Sequence, residues 1–254
     1  MSTLLITIIP SIIILSYFTL SDKFKEPKGT VLLIFFLGFL ICLPAGILNS
    51  FMDDQFNTGS ELSRKLLHSF LGPAWTEELL KFFVLYAIVL RRHEFNEPMD
   101  GIVYGVVVSL GFATYENYDY VFRWAEEWGI DPQEMAIWRS YSAVPMHGLN
   151  GVIMGFYFGL YAFTAKKKFL TLAILFPYLT HGFYNFVSSP YHYFIVVGTL
   201  IFALILHSNL KMVQSEKKIE REKNKYKFYK LFFKLNRVSI LIFFRRTNSC
   251  KPNN

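Results

Sequence analysis

Apolar runs of about the length that crosses a bilayer recur from one end of this chain almost to the other. A membrane-spanning helix needs roughly 20 mainly apolar residues at ~1.5 Å of rise each. Seven segments meet or nearly meet that need, at about 4–20, 30–48, 73–90, 101–122, 143–165, 169–187 and 191–207. Hydrophobic residues make up 53% of the 254 positions and charged residues only 18%. Disorder requires the opposite balance, and 15 glycines with 10 prolines are too few for a collagen-like or Pro/Gly-rich fibre. A soluble globule does not concentrate its apolar residues in such runs. The expected fold is therefore an all-α, polytopic membrane helix bundle of about seven spans. The first run has no basic leader and no small-residue cleavage site, so it reads as a retained helix.

The loops set the expected orientation. Lys23, Lys25 and Lys28 follow the first span, Arg91 and Arg92 the third, and Lys166, Lys167 and Lys168 the fifth. Thirteen Lys or Arg residues follow the seventh. The intervening loops carry Asp53, Asp54 and Glu61, then Glu126, Glu127, Asp131 and Glu134, with two basic residues each. Basic loops stay in the cytoplasm, which puts the N-terminus outside and the C-terminus inside. The chain divides into a transmembrane region, 1–210, and a basic tail, 211–254. The tail interleaves lysines with aromatics, as in Lys225-Tyr226-Lys227-Phe228-Tyr229-Lys230. Directly after a span, that mixture predicts an interfacial helix on anionic lipid and not a nucleic-acid partner. The two cysteines, Cys42 and Cys250, make neither a disulfide framework nor a metal-ligand pair.

Ionisable residues inside spans are costly, and each is a functional candidate. The third span holds Glu77, Glu78 and Lys81, the fourth Glu116 and Asn117, the fifth His147 and Asn150, and the sixth His181 and Asn185. Counting at helical rise from each entry point brings these groups to a similar depth, all in the outer half of the bilayer. Four helices running in alternating directions thus converge on one shared site. Lys81 stands three and four residues from the two glutamates and shares their helix face, as His181 does with Asn185. Adjacent carboxylates beside a cation and two imidazoles can divide acid and base roles. A Glu can serve as base towards water while an Asn or His stabilises an oxyanion. Alternatively, His147, His181 and Glu116 can hold a divalent metal such as zinc, although no HExxH motif is present. Structural pairing of Glu with Lys is the plainer reading of any one of these residues. A proton- or ion-coupled transporter is the alternative reading of the whole set, but the polar groups lie off-centre and no internal repeat is visible. The stripe Gly151, Gly155, Gly159 predicts close helix packing and says nothing of chemistry.

The stretch Trp75-Thr76-Glu77-Glu78-Leu79-Leu80-Lys81 resembles the EExxK motif of the PrsW family of bacterial intramembrane proteases. Glu97-Pro98-Met99-Asp100-Gly101, continuing to Tyr115-Glu116-Asn117, is similar to that family's most distinctive block. His147-Gly148 and His181-Gly182-Phe183-Tyr184-Asn185 look like its two later histidine motifs. The resemblance covers 73–185. It implies a multi-pass protease of the bacterial cell membrane that cuts membrane-anchored anti-sigma factors on their extracytoplasmic side and so starts a stress response. It also implies a distant relation to the CAAX-processing proteases, although Glu116-Asn117 stands where those have a histidine. By that analogy Glu77 and Glu78 are catalytic, with one activating water, and Glu116 is a further site carboxylate. His147 and His181 bind metal or assist catalysis, and Asn185 stabilises the oxyanion.

Overall fold

The computed structural model describes residues 2–56, 59–187 and 190–247, with side chains as far as Lys223 except Glu222. Cys250, and the side chains of 225–233 on which the expected lipid contact rests, lie outside this description. Every described element is helical: α1 (Thr3–Ser21), α2 (Lys28–Phe56), α3 (Glu61–Ser69), α4 (Trp75–Ala87), α5 (Pro98–Asp119), α6 (Ala125–Glu127), α7 (Pro132–Tyr141), α8 (Ala143–Thr164), α9 (Lys167–Phe186) and α10 (His192–Thr247). Two compact units emerge, Met1–Lys211 and Met212–Asn254. The first holds the bundle and the site. The second is helical as far as Thr247.

Local signals explain the boundaries that matter for the site. At the start of α5, Asp100 reaches back to accept from the backbone N–H of Glu97 at 2.8 Å and of Asn96 at 2.7 Å, and Pro98 opens the helix. That is a reciprocal capping arrangement with proline where its missing N–H costs nothing. α7 begins likewise with Asp131 accepting from Gln133 and Glu134 ahead of Pro132. The segment 61–87 would otherwise read as one helix. It breaks at Phe70–Ala74, where Gly72 leaves helical geometry ahead of Pro73. Proline disfavours helical backbone in the residue before it, so α4 starts afresh at Trp75 with Glu77 and Glu78 in its first turn. Carboxylates there complement the positive end of the helix dipole.

α5 is the axis of the bundle, and its residues are buried continuously from Met99 to Ala113. One side packs Ile102, Val106 and Leu110 against Val152 and Ile153 of α8. The other packs Val103, Tyr104 and Val107 with Val84 and Leu85 of α4. The glycine stripe of α8 meets glycines of α5: a Cβ added at Gly105 would land on the carbonyl oxygen of Gly151, and one at Gly101 on that of Gly155. Gly38 and Gly111 bring α2 against α5 in the same way, backbone on backbone. This is the close packing that small residues permit in membranes, where lipid is as apolar as a side chain.

Large apolar residues cover the outside of the bundle. Ile12, Ile13 and Leu20 of α1, Leu32, Phe36 and Leu40 of α2, and Phe194, Ile201 and Ile205 of α10 are all exposed. Among the described residues, α1, α2 and the first 30 residues of α10 are long and apolar enough to cross a membrane. α5, α8 and α9 have 22, 22 and 20 residues, which is spanning length, but they carry the glycines and site residues that lower their hydropathy. α4, in the expected third span, has only 13 residues.

Candidate active site

Five buried polar residues from three helices form one connected cluster. Glu77, Glu78 and Lys81 come from α4, His147 from the start of α8, and His181 from the later part of α9; none is more than 5% exposed. The Lys81 ammonium is 2.8 Å from Glu78 Oε1, 3.0 Å from His147 Nδ1 and 3.8 Å from Glu77 Oε2. It also sits over the Phe112 ring, 4.4 Å from the centroid. His181 Nδ1 lies 2.8 Å from Glu78 Oε1, and its Nε2 lies 4.0 Å from Glu77 Oε2. The two imidazoles meet edge to face with centroids 5.3 Å apart. The convergence expected from counting residues along the helices is present in these distances.

The hydrogen bonds fix which way each ring faces. An ionised carboxylate can only accept, so His181 donates Nδ1–H to Glu78 and turns Nε2 towards Glu77. His147 donates Nε2–H to Glu116 Oε2 at 3.0 Å and accepts at Nδ1 from Lys81. Each imidazole is oriented by a carboxylate behind it, as metal-binding and general-base histidines are.

Glu116 stands in a second layer. Besides His147, it pairs with Arg139 of α7, which also donates from Nε to Asn117 Oδ1 at 2.8 Å and stacks on the Tyr120 ring. Asn117 in turn donates to the Thr7 carbonyl of α1 at 2.7 Å. Three carboxylates, those of Glu77, Glu78 and Glu116, therefore face two fixed cations, Lys81 and Arg139. The formal excess is negative, which favours a further cation.

The fit of a divalent metal can be judged from the donors. One ligand atom each from Glu77, His147 and His181 comes within 4.8 Å of the other two. Glu77 Oε2 is buried with no hydrogen-bond partner. Two imidazoles and a carboxylate are a known catalytic zinc set, so these residues fit. The carboxylate in the group is Glu77, where the sequence suggests Glu116.

Asn185 stands apart. It lines a neighbouring cleft with Asp53, Arg64 and Lys65, and no hydrogen bond joins it to the cluster. Asn150 bonds to Thr180, tying α8 to α9. Two residues outside the sequence expectation help to hold the site. Asn49 of α2 donates to Glu77 Oε1 at 3.2 Å and accepts from Thr76. Arg139 anchors Glu116. Asn49 falls one residue beyond the expected second span. Arg139 is one of two basic residues in an otherwise acidic loop, and that oddity was its only signal.

Glu77 and Glu116 both line a cleft of about 600 Å³ between α2 and the far half of α5. A channel of that size opening on buried carboxylates is suited to bringing a substrate to them.

Comparisons with known proteins agree with this chemistry. Residues 26–208 match the family described as PrsW family intramembrane metalloprotease. A Protease PrsW from Bacillus subtilis is 41% identical over 186 residues, covering 72% of this chain and 80% of the relative. One from Oceanobacillus iheyensis is 36% identical over 200 residues, covering 78% and 88%. One from Geobacillus kaustophilus is 39% identical over 183 residues, covering 70% and 76%. No solved structure matches the chain significantly.

Proposed function

The chain belongs to the PrsW family of intramembrane metalloproteases and is a peptide hydrolase of the bacterial membrane; from that premise we propose that the Glu77–Glu78–His147–His181 cluster cleaves a membrane-anchored protein near the extracytoplasmic face. The observation that carries this reading is the buried pairing of Glu77 and His181. Their facing atoms are 4.0 Å apart, a gap that one water hydrogen-bonded to both can bridge, and Glu77 lines the cleft.

In this mechanism Glu77 Oε2 takes the proton of the attacking water and later delivers it to the leaving amine. Asn49, itself held by the Thr76 hydroxyl, keeps that carboxylate in place by donating to its other oxygen. Glu78 reaches no part of the cleft. Its task is to fix His181 through Nδ1 so that Nε2 faces the reacting water. Lys81 balances the paired carboxylates. Glu116, held by Arg139, orients His147. A divalent metal would be held by Glu77, His147 and His181 in place of the Lys81 contact to His147, and when bound it would supply Lewis-acid polarisation of the water and the peptide carbonyl, with Glu77 then a ligand and not the base. The family likeness alone gives Asn185, one helical turn beyond His181, the role of oxyanion donor.

The substrate class follows from the family likeness: a single-pass anti-sigma factor, cut outside the membrane to start a stress response. Seven spans with the N-terminus outside and the C-terminus in the cytoplasm fit the Lys and Arg distribution. The basic tail would then lie on anionic lipid. The test is co-expression with a doubly tagged anti-sigma factor of the same organism. Wild type should yield fragments whose sizes map the cut to the outer juxtamembrane segment. Glu77→Ala, Glu78→Ala and His181→Ala should leave the substrate whole. Undiminished cleavage by all three variants would reject the mechanism.

A further inference from the structure

The cleft that reaches Glu77 is walled, on its α2 side, by Cys42, Leu43 and Ile47, and faces Phe112 of α5. Gly46 lies in the middle of that wall. A Cβ built on Gly46 meets no atom within 4 Å, in contrast to Gly38 two turns earlier, where it would strike the backbone of Val108. Gly38 is therefore small because another helix touches it, whereas Gly46 is small beside open space. A glycine inside a helix costs about 0.5–1 kcal/mol relative to alanine, and the packing of this chain gives Gly46 no reason to be one. Pro44, two residues before it, further loosens α2 at this level by removing a helical hydrogen bond. The result is a bare stretch of wall that an incoming chain can approach closely.

The rim of the cleft identifies the occupant's chemistry. Arg123 pairs with Asp119 at 3.5 Å, and Asp53 lies 3.5 Å from the His68 ring. Much of the remaining lining is apolar or aromatic, with Tyr115, Trp124 and Trp128. Such a lining favours apolar and aromatic contact. The inner end terminates at the hydrolytic carboxylate. An occupant that lies along these apolar and aromatic side chains and ends at that carboxylate is an apolar stretch of polypeptide.

Resting on the protease reading, the geometry points to this cleft as the seat of an extended apolar segment of the substrate next to the scissile bond, with Gly46 setting the size of the side chain admitted. Two arms test it. In the first, Gly46→Phe and the control Gly198→Phe, whose Cβ on α10 also meets open space, are compared in cleavage of tagged anti-sigma factors carrying Leu or Ala beside the cut. Gly46→Phe should raise KM at least about tenfold for the Leu substrate and less for Ala, since pockets discriminate side chains by such factors. Gly198→Phe should change neither.

The second arm needs no turnover. Gly46→Cys is placed in a Glu77→Gln background with Cys42 and Cys250 changed to Ser, and is paired with anti-sigma factors bearing single cysteines along the outer juxtamembrane segment. Disulfide trapping should peak within a few residues of the boundary, and Gly198→Cys should trap none. Trapping at Gly46 without cleavage by wild type would uphold the cleft as a peptide site and overturn the protease reading. Cleavage by wild type with no trapping, and with Gly46→Phe unimpaired, would overturn the cleft and leave the protease reading intact.

Discussion

Each carboxylate in the site has a partner brought from elsewhere in the chain, and these partners determine what substitutions do. Asn49 holds Glu77 from α2, so Asn49→Ala should lower kcat by about 10-fold, within the usual effect of removing a residue that positions an active group. Progress curves for reporter cleavage would show it. The arginine that serves Glu116 is largely covered in an ion pair, and deleting it leaves a mostly desolvated charge alone. Arg139→Ala should therefore destabilise the protein by about 3–5 kcal/mol, read from thermal unfolding in detergent, and Arg139→Lys should recover only part because lysine cannot bridge Glu116 and Asn117 with one planar group. Glu77, Glu78 and Lys81 were legible because helical spacing alone brings them to one face. Asn49 and Arg139 were not, because each meets its partner only through tertiary packing, across 28 and 23 residues of chain.

At the scale of elements, the contact between α5 and α8 is the most exposed to mutation. Gly105 and Gly155 sit where backbone faces backbone, so Gly155→Ala should cost about 3 kcal/mol or more through overpacking, whereas Gly29→Ala, beside open space, should be tolerated. Expression level and melting temperature distinguish the two.

The start of α5 carries a second acidic group, in which Asp100 lies beside Glu26 and Asp22. Burial, and then the neighbouring Glu26 charge, push the Asp100 carboxyl from its ordinary 3.8 up to about 8; burial raises Glu26 as well. The folded state keeps a proton here that the unfolded chain releases above about pH 4. Its contribution is thus complete below about pH 4 and is lost as pH rises towards 8. Asp100→Asn keeps an acceptor for the backbone of Asn96 and Glu97, and should flatten the decline in melting temperature between pH 5 and 8. An unchanged slope would contradict the assignment.

The seven apolar segments are largely helical, as is expected of runs of that length and composition where lipid would offer the backbone no partner. The break at Gly72-Pro73 coincides with the expected start of the third span at Pro73. The short α7 was less legible, being polar enough to read as loop, although it delivers Arg139.

Over the whole molecule, orientation and chemistry are linked. The site opens at the ends of α2, α5 and α8 that the basic loops assign to the outside, so a reporter fused at the C-terminus should be active only as a cytoplasmic enzyme, and one active only outside would invert the scheme. The charge of +7 gathers largely in the tail and bears on membrane sidedness. In the proposed mechanism hydrolysis depends on the few charges that remain inside the bundle. The most direct test of that claim is the rate at which purified enzyme, reconstituted in vesicles, cleaves a membrane-anchored anti-sigma factor when Glu77 is replaced by glutamine, which keeps the shape and the Asn49 contact but cannot take a proton. The account predicts a fall of at least about 100-fold, the lower end of what general-base catalysis contributes, with the fold unchanged. Cleavage by Glu77→Gln within a few-fold of wild type would contradict it.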